Sequence, residues 1–172
     1  RSLMEIDVIE KAESFETGGV RNTQKGLYQI RDPLINFWFR FIYPHLSEVY
    51  MLGAEKFYNR YIAPEIETYM NRYFVQVCGE YLALMSRVHK LPIELTKQGT
   101  WIGKQGTIDI VAQDSVRNTI VGKCNWSAPA MTAADVRELL QTLKKARLSP
   151  KQIYLFTATE FDAELTAWAD QD

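Results

Sequence analysis

The chain has 172 residues, 47% of them hydrophobic and 24% charged, with a formal net charge of −1. That length fits one domain or a domain with a fragment, and the composition is ordinary for a soluble globular protein. Near-neutral charge excludes a broad electrostatic footprint for nucleic acid and leaves room only for a local basic patch. No apolar run is long enough to span a bilayer, which argues against a membrane partner.

No secretory signal opens the chain. The start Arg1-Ser2-Leu3-Met4 reads as the interior of something larger, so an excised domain is expected. Residues 6–15 and 26–31 read as two short strands joined by the polar, turn-rich stretch 16–25. This pattern suggests the wing of a winged helix, and Arg21 and Lys25 at its tip would suit DNA phosphate. The plainer reading is a solvated hairpin loop.

Asp32-Pro33 starts a helix, with an acid at the N-cap and proline at the first helical position. The helix carries Leu34, Ile35, Phe37, Trp38, Phe39, Phe41, Ile42 and Tyr43, apolar nearly all round, and is therefore predicted to be buried core. Pro44 should end or kink it. One or two short helices follow over 46–61, around Gly53. A long helix is predicted from Pro64 to about Lys90, with Ile66, Met70, Tyr73, Val77, Tyr81, Leu84 and Val88 as its apolar face. Gly79 in its interior costs about 1 kcal/mol against alanine and hints at a close packing contact.

After a loop through 97–99, Thr100-Trp101-Ile102 leads into a predicted hairpin. One strand covers 107–112, a polar turn follows over 113–118, and the partner strand covers 119–126. Asp109 is a lone carboxylate in an apolar strand. Lys123 and Asn125 lie two apart on its partner and so share a face. Such groups mid-sheet mark a candidate site, because burying them without partners is costly. Cys124 alternates to the opposite face as a core thiol. Together with Cys78 it suits a reduced, cytoplasmic setting better than a disulfide framework.

Thr132 and Asp135 form a near-match to a capping box, opening a helix that buries Val136, Leu139, Leu140 and Leu143. Ser149-Pro150 stops it. Residues 153–157 read as a buried strand and 161–168 as a last helix. The order is long helix, three-stranded meander, helix, strand, and the last strand should return parallel through a crossover. There is no internal repeat, no low-complexity segment and no G-x-x-x-x-G-K-[S/T] phosphate loop.

Two stretches carry a family resemblance. One runs Tyr28-Gln29-Ile30-Arg31-Asp32-Pro33 and on through Phe37-Trp38-Phe39-Arg40-Phe41. The other is Ile108-Asp109-Ile110-Val111-Ala112 followed by Gly122-Lys123-Cys124-Asn125-Trp126. Both resemble the C-terminal domain of archaeal-type ATPases, which looks like a PD-(D/E)XK nuclease. The resemblance implies an α/β (α+β) fold with a restriction-endonuclease-like αβββαβ core. It divides the chain into a winged-helix remnant (1–31), a helical linker (32–62) and a nuclease-like domain (63–172). It also implies an N-terminal ATPase part as partner, with ATP and Mg²⁺ belonging to that part and no cofactor in this domain.

In that family a helical acid, a strand aspartate and a Glu-x-Lys on the next strand converge on a divalent metal, whose hard character selects carboxylate oxygens. Here Asp109 alone keeps its type. Lys123 and Asn125 replace the Glu and Lys, and Val75 stands where the helical acid is expected. Glu80, five residues on, lies about 140° around the helix and should face elsewhere. The expectation is a vestigial site in a non-catalytic module that binds DNA or protein, with Lys123 and Asp109 paired where the metal was. The competing expectations are a Mg²⁺-dependent nuclease that has recruited Asp114 or Glu94, and a domain serving protein interaction only. His45 and His89 stand near helix ends without ligand spacing.

Overall fold

A computed structural model describes residues 3–6, 8–15, 26–104, 106–127 and 129–169. They belong to two units, one within Arg1–Glu13 and Val20–Glu67, the other within Ser14–Gly19 and Thr68–Asp172.

In the first unit, β1 (Ile9–Glu13) pairs antiparallel with β2 (Gly26–Ile30), Ile9 opposite Ile30, forming the expected hairpin. Arg21 and Lys25 lie outside the described residues. The Asp32 carboxylate accepts the Ile35 N–H at 2.8 Å and Pro33 follows, so α1 (Pro33–Phe37) starts as the cap predicts. The chain then widens into a π turn at Trp38–Ile42 and tightens to 3₁₀ at Tyr43–His45, where Pro44 supplies no amide hydrogen. Gly53, at φ 75° and ψ 164°, takes a conformation nearly closed to other residues. It separates α2 (Leu46–Leu52) from α3 (Ala54–Phe57), which runs on as a π turn over Tyr58–Ile62.

The expectation that the aromatic helix is buried core fails. No residue of α1 is buried, Leu34 is 76% exposed, and Trp38 and Phe39 are about half exposed; Phe41 alone of the stripe is buried. Apolar character all round says what a helix could bury, and burial still needs a facing surface. Here the rings pack along the helix instead, Phe37 on Phe41 at 5.0 Å and Phe39 on Tyr43 at 5.3 Å.

The second unit is led by α4 (Ile66–Arg87). A four-stranded sheet follows, in the order β3 (Lys97–Gly103), β4 (Gly106–Gln113), β5 (Thr119–Asn125), β6 (Gln152–Thr157). The first three strands are antiparallel and β6 returns parallel to β5 after α5 (Ala133–Ala146). That is the predicted order of elements. α6 (Ala163–Ala169) follows β6. Residues 97–99, read as loop, are strand, because they pair with Gln113, Ala112 and Val111 across β3–β4. The capping box at Thr132 and Asp135 is complete.

The sheet has two covered faces. On one, Cys78 and Leu82 of α4 pack on Ile110, Ala112, Ile120 and Cys124. On the other, Leu139 and Leu143 of α5 pack on Ile108, Val111, Val121 and Phe15. Fully burying a side chain such as Leu82 contributes roughly 1.5–3 kcal/mol. The stripe that α4 buries contains Tyr69, Cys78, Leu82 and Ser86, while the predicted face at Val77, Tyr81, Leu84 and Val88 stands about half exposed. Two apolar stripes were available, and the sheet covers one. Leu140 of α5 is likewise exposed, and β6 is half-buried because it forms a sheet edge. Among the described residues no helix is long and apolar enough to cross a membrane.

Candidate functional site

The site begins with a register shift. Gly99 of β3 pairs with Val111 of β4, yet Trp101 pairs with Ile108. Asp109 and Ile110 therefore stand opposite the single residue Thr100, which is a β-bulge. Strict alternation would put Ile108 and Ile110 on one face. The bulge instead sends Ile108 to the α5 side and Ile110 to the α4 side. It also brings Asp109 to the α4 side, where it lines a cavity of about 270 Å³ with Val75 and Gly79.

The β4–β5 ladder runs from Gln113 opposite Thr119 to Ile110 opposite Gly122. Just past it, the Cys124 N–H donates at 2.8 Å to Oδ2 of Asp109, so a side chain takes up a main-chain amide where the strands part. The Thr100 hydroxyl donates to the Asp109 carbonyl at 2.8 Å and holds the bulge from the β3 side. Further along, the Trp126 N–H donates to Oδ1 of Asn71 at 3.0 Å, tying the end of β5 to α4.

Burial pushes the Asp109 carboxyl above the usual carboxylate range, while the Cys124 amide and the Lys123 charge pull it down. Lys123 acts only as a nearby charge. The expected Asp109–Lys123 ion pair is not formed, since no contact of that kind joins the two. The reason lies in the bulge. Alternation along β5 puts Lys123 with Val121 on the α5 side, and the bulge has moved Asp109 to the other. Asn125 donates to the Pro129 carbonyl at 3.3 Å and does not line the cavity. Of the four candidate positions, Asp109 and Val75 come together; Lys123 and Asn125 do not join them.

Glu80 does line the cavity, against the expectation from its helical angle. The cavity follows the rim of α4 through Val75, Gln76, Gly79 and Glu80, and Gly79 has no side chain to interrupt it. Gln76 donates to Oε1 of Glu80 at 3.2 Å. Gln98 of β3 reaches into the gap over Gly79, where a Cβ would sit 3.3 Å from its Nε2, so the close contact that the helical glycine hinted at is real. Gln76, Gln98 and Asn71 carried no signal in the sequence, because amides on a helix and a strand look like solvated surface until register is known.

The other candidate acids lie apart. Asp114 accepts from Val116 N–H, Asn118 N–H and Asn118 Nδ2, which fixes the β4–β5 turn and, with the Asn118 amide first, holds its carboxyl below the usual range. Glu94 is exposed and outside the cavity. His45 stacks on Tyr61 at 4.0 Å, and His89 is exposed at the end of α4. Cys78 and Cys124 are both buried and free, and burial pushes both thiols up.

This donor set is sparse for a dedicated cation site. Mg²⁺ is commonly held by one or two carboxylates completed by water and phosphate oxygens, and among the described residues the acids lining the cavity are Asp109, one oxygen of which is committed to an amide, and Glu80. Among the described residues no group of three or more His, Cys, Asp or Glu side chains gathers where an ion could be held.

A model of the family DUF234, archaeal and bacterial proteins of unknown function, matches residues 38–140. An uncharacterized protein of Methanocaldococcus jannaschii is 28% identical over 152 residues, covering 86% of this chain and 33% of that protein. The chain thus spans about a third of the length of the curated relative it matches. No solved structure matches.

Proposed function

The chain belongs to the DUF234 family of archaeal and bacterial proteins, and from that premise we propose that it is a non-catalytic, nuclease-like module of an archaeal-type ATPase, acting by binding or regulation. The observation that carries this reading is Asp109. It is a lone strand carboxylate whose oxygen accepts the Cys124 amide, in a cavity where Val75 replaces the helical acid and from which Lys123 and Asn125 are turned away. The order α4-β3-β4-β5-α5-β6, with β6 parallel to β5, is the order that a PD-(D/E)XK core requires and supports the fold part of the proposal. ATP chemistry then lies outside this chain, which holds no phosphate-binding loop. The partners on this reading are the ATPase part and DNA.

A metal-dependent nuclease with relocated ligands is favoured by one observation, that Glu80 shares the cavity with Asp109. Calorimetric titration with Mg²⁺ and Mn²⁺, run beside plasmid cleavage, separates the two. The non-catalytic reading expects no binding heat and no nicking. Mn²⁺ binding that Glu80→Ala and Asp109→Ala each abolish, together with cleavage, would establish the nuclease instead. Gel shifts at low and moderate salt then test DNA, because phosphate-driven binding weakens steeply with salt.

A further inference from the structure

The two edges of the sheet are treated differently. At the β3 edge, the Phe15 N–H donates to the Thr100 carbonyl at 2.7 Å. Ser14 Oγ donates to the Ile102 carbonyl at 3.2 Å and accepts the Ile102 N–H at 2.8 Å. A bulge lies beside that strand and it carries Lys97. These are the devices by which proteins blunt an edge against further pairing. The β6 edge has none of them. Its sequence Gln-Ile-Tyr-Leu-Phe-Thr holds no charge and no proline, and its register against β5 is unbroken from Gln152 to Thr157. Among the described residues no strand pairs with its far side.

An apolar groove of about 410 Å³ runs beside this edge on the α4 side, lined by Val77, Tyr81, Phe156 and Phe161. Val77, Tyr81 and Phe161 are each about half exposed. A long uncharged edge next to exposed apolar surface invites strand addition.

We propose that β6 is a self-association edge, pairing antiparallel with β6 of a second copy of this chain and joining two four-stranded sheets into one. This goes beyond the functional reading above and does not depend on it. Two features favour a second copy over a foreign strand. The first is side-chain register. A two-fold axis normal to the sheet keeps each face on its own side, so paired residues must share parity. With Leu155 at the axis, Tyr154 stands opposite Phe156 of the second copy, and the reverse pair repeats it. Tyr154 and Phe156 both pack on the α4 face, and aromatic cross-strand pairs are favourable. The same axis sets the two apolar grooves side by side on one face. The second feature is charge. Exposed Lys151 precedes the strand and exposed Glu160 follows it. Antiparallel self-pairing brings the positive end of each strand to the negative end of the other, whereas parallel pairing would bring like charges together.

Sedimentation velocity on the 172-residue chain, over a wide micromolar range, is expected to show a concentration-dependent dimer. Lys151→Glu and Glu160→Lys each change an exposed residue outside the packed core, and a thermal melt of each variant establishes that it is folded before its association is compared. Each should weaken the dimer about tenfold, and the double reversal K151E/E160K should restore the parent affinity. A chain that stays monomeric throughout, or a dimer that ignores the single reversals, would overturn the proposal.

Discussion

The Asp109 carboxylate accepts the main-chain N–H of Cys124 at 2.8 Å, at the point where β4 and β5 stop pairing with one another. Asp109→Ala strands that amide in a part-buried position, and an unsatisfied donor of this kind costs about 1–3 kcal/mol. Urea unfolding of the variant should show a lower midpoint with an unchanged slope. An unchanged midpoint would mean that the bond contributes nothing net.

Burial raises the Asp109 carboxyl more than the Cys124 amide and the Lys123 charge lower it. The unfolded chain, with a carboxyl pKa of about 3.9, therefore gives up its proton first. The contribution of the protonated acid is whole below that value and is lost as pH rises through the higher folded value. Asp109→Asn carries no such titration. Between acid pH and neutrality, its urea midpoint should gain on that of the parent; a constant gap would contradict the raised carboxyl.

Gly79 and Gly122 should respond oppositely to alanine. A Cβ at Gly79 meets only the far end of the exposed Gln98 side chain, at 3.3 Å. That amide can swing away, leaving a helix-propensity gain of up to about 1 kcal/mol. At Gly122 the Cβ would lie 3.1 Å from both Cβ and Cδ1 of Ile110, deep in the packed face. Ile110 cannot withdraw its Cβ without moving β4, so Gly122→Ala should cost about 1–3 kcal/mol. Thermal melts of the two variants shifting in the same direction would refute the contrast.

Cys78 and Cys124 are buried against one another, and the thiolate is the reactive form. Burial raises both thiols, so a neutral-pH disulfide reagent should modify the native chain far more slowly than the urea-unfolded chain. Equal rates would show that the α4–β5 packing opens readily.

The elements themselves were legible because their signals are local. Asp32-Pro33 starts α1, Gly53 divides α2 from α3, Thr132 and Asp135 box the start of α5, and Asp114 staples the β4–β5 turn through its own neighbours. Even the packing contact at Gly79 could be suspected, since a glycine inside a long helix costs stability and so points to something lying close against it.

What the amino-acid order determined by itself was the succession of helices and strands and the presence of one unusual carboxylate among them, since caps, turns and periodicity act over a few residues. Tertiary structure alone decided which stripe of α4 is covered, that the aromatic helix stays open, and that Asp109 lines the cavity on the α4 side, where Glu80 also stands, without an ion pair to Lys123. Those outcomes depend on a single extra residue in the β3–β4 register and on which surfaces find a facing partner. Neither is written in any local window of the chain, because a bulge is a relation between two strands and burial a relation between two surfaces.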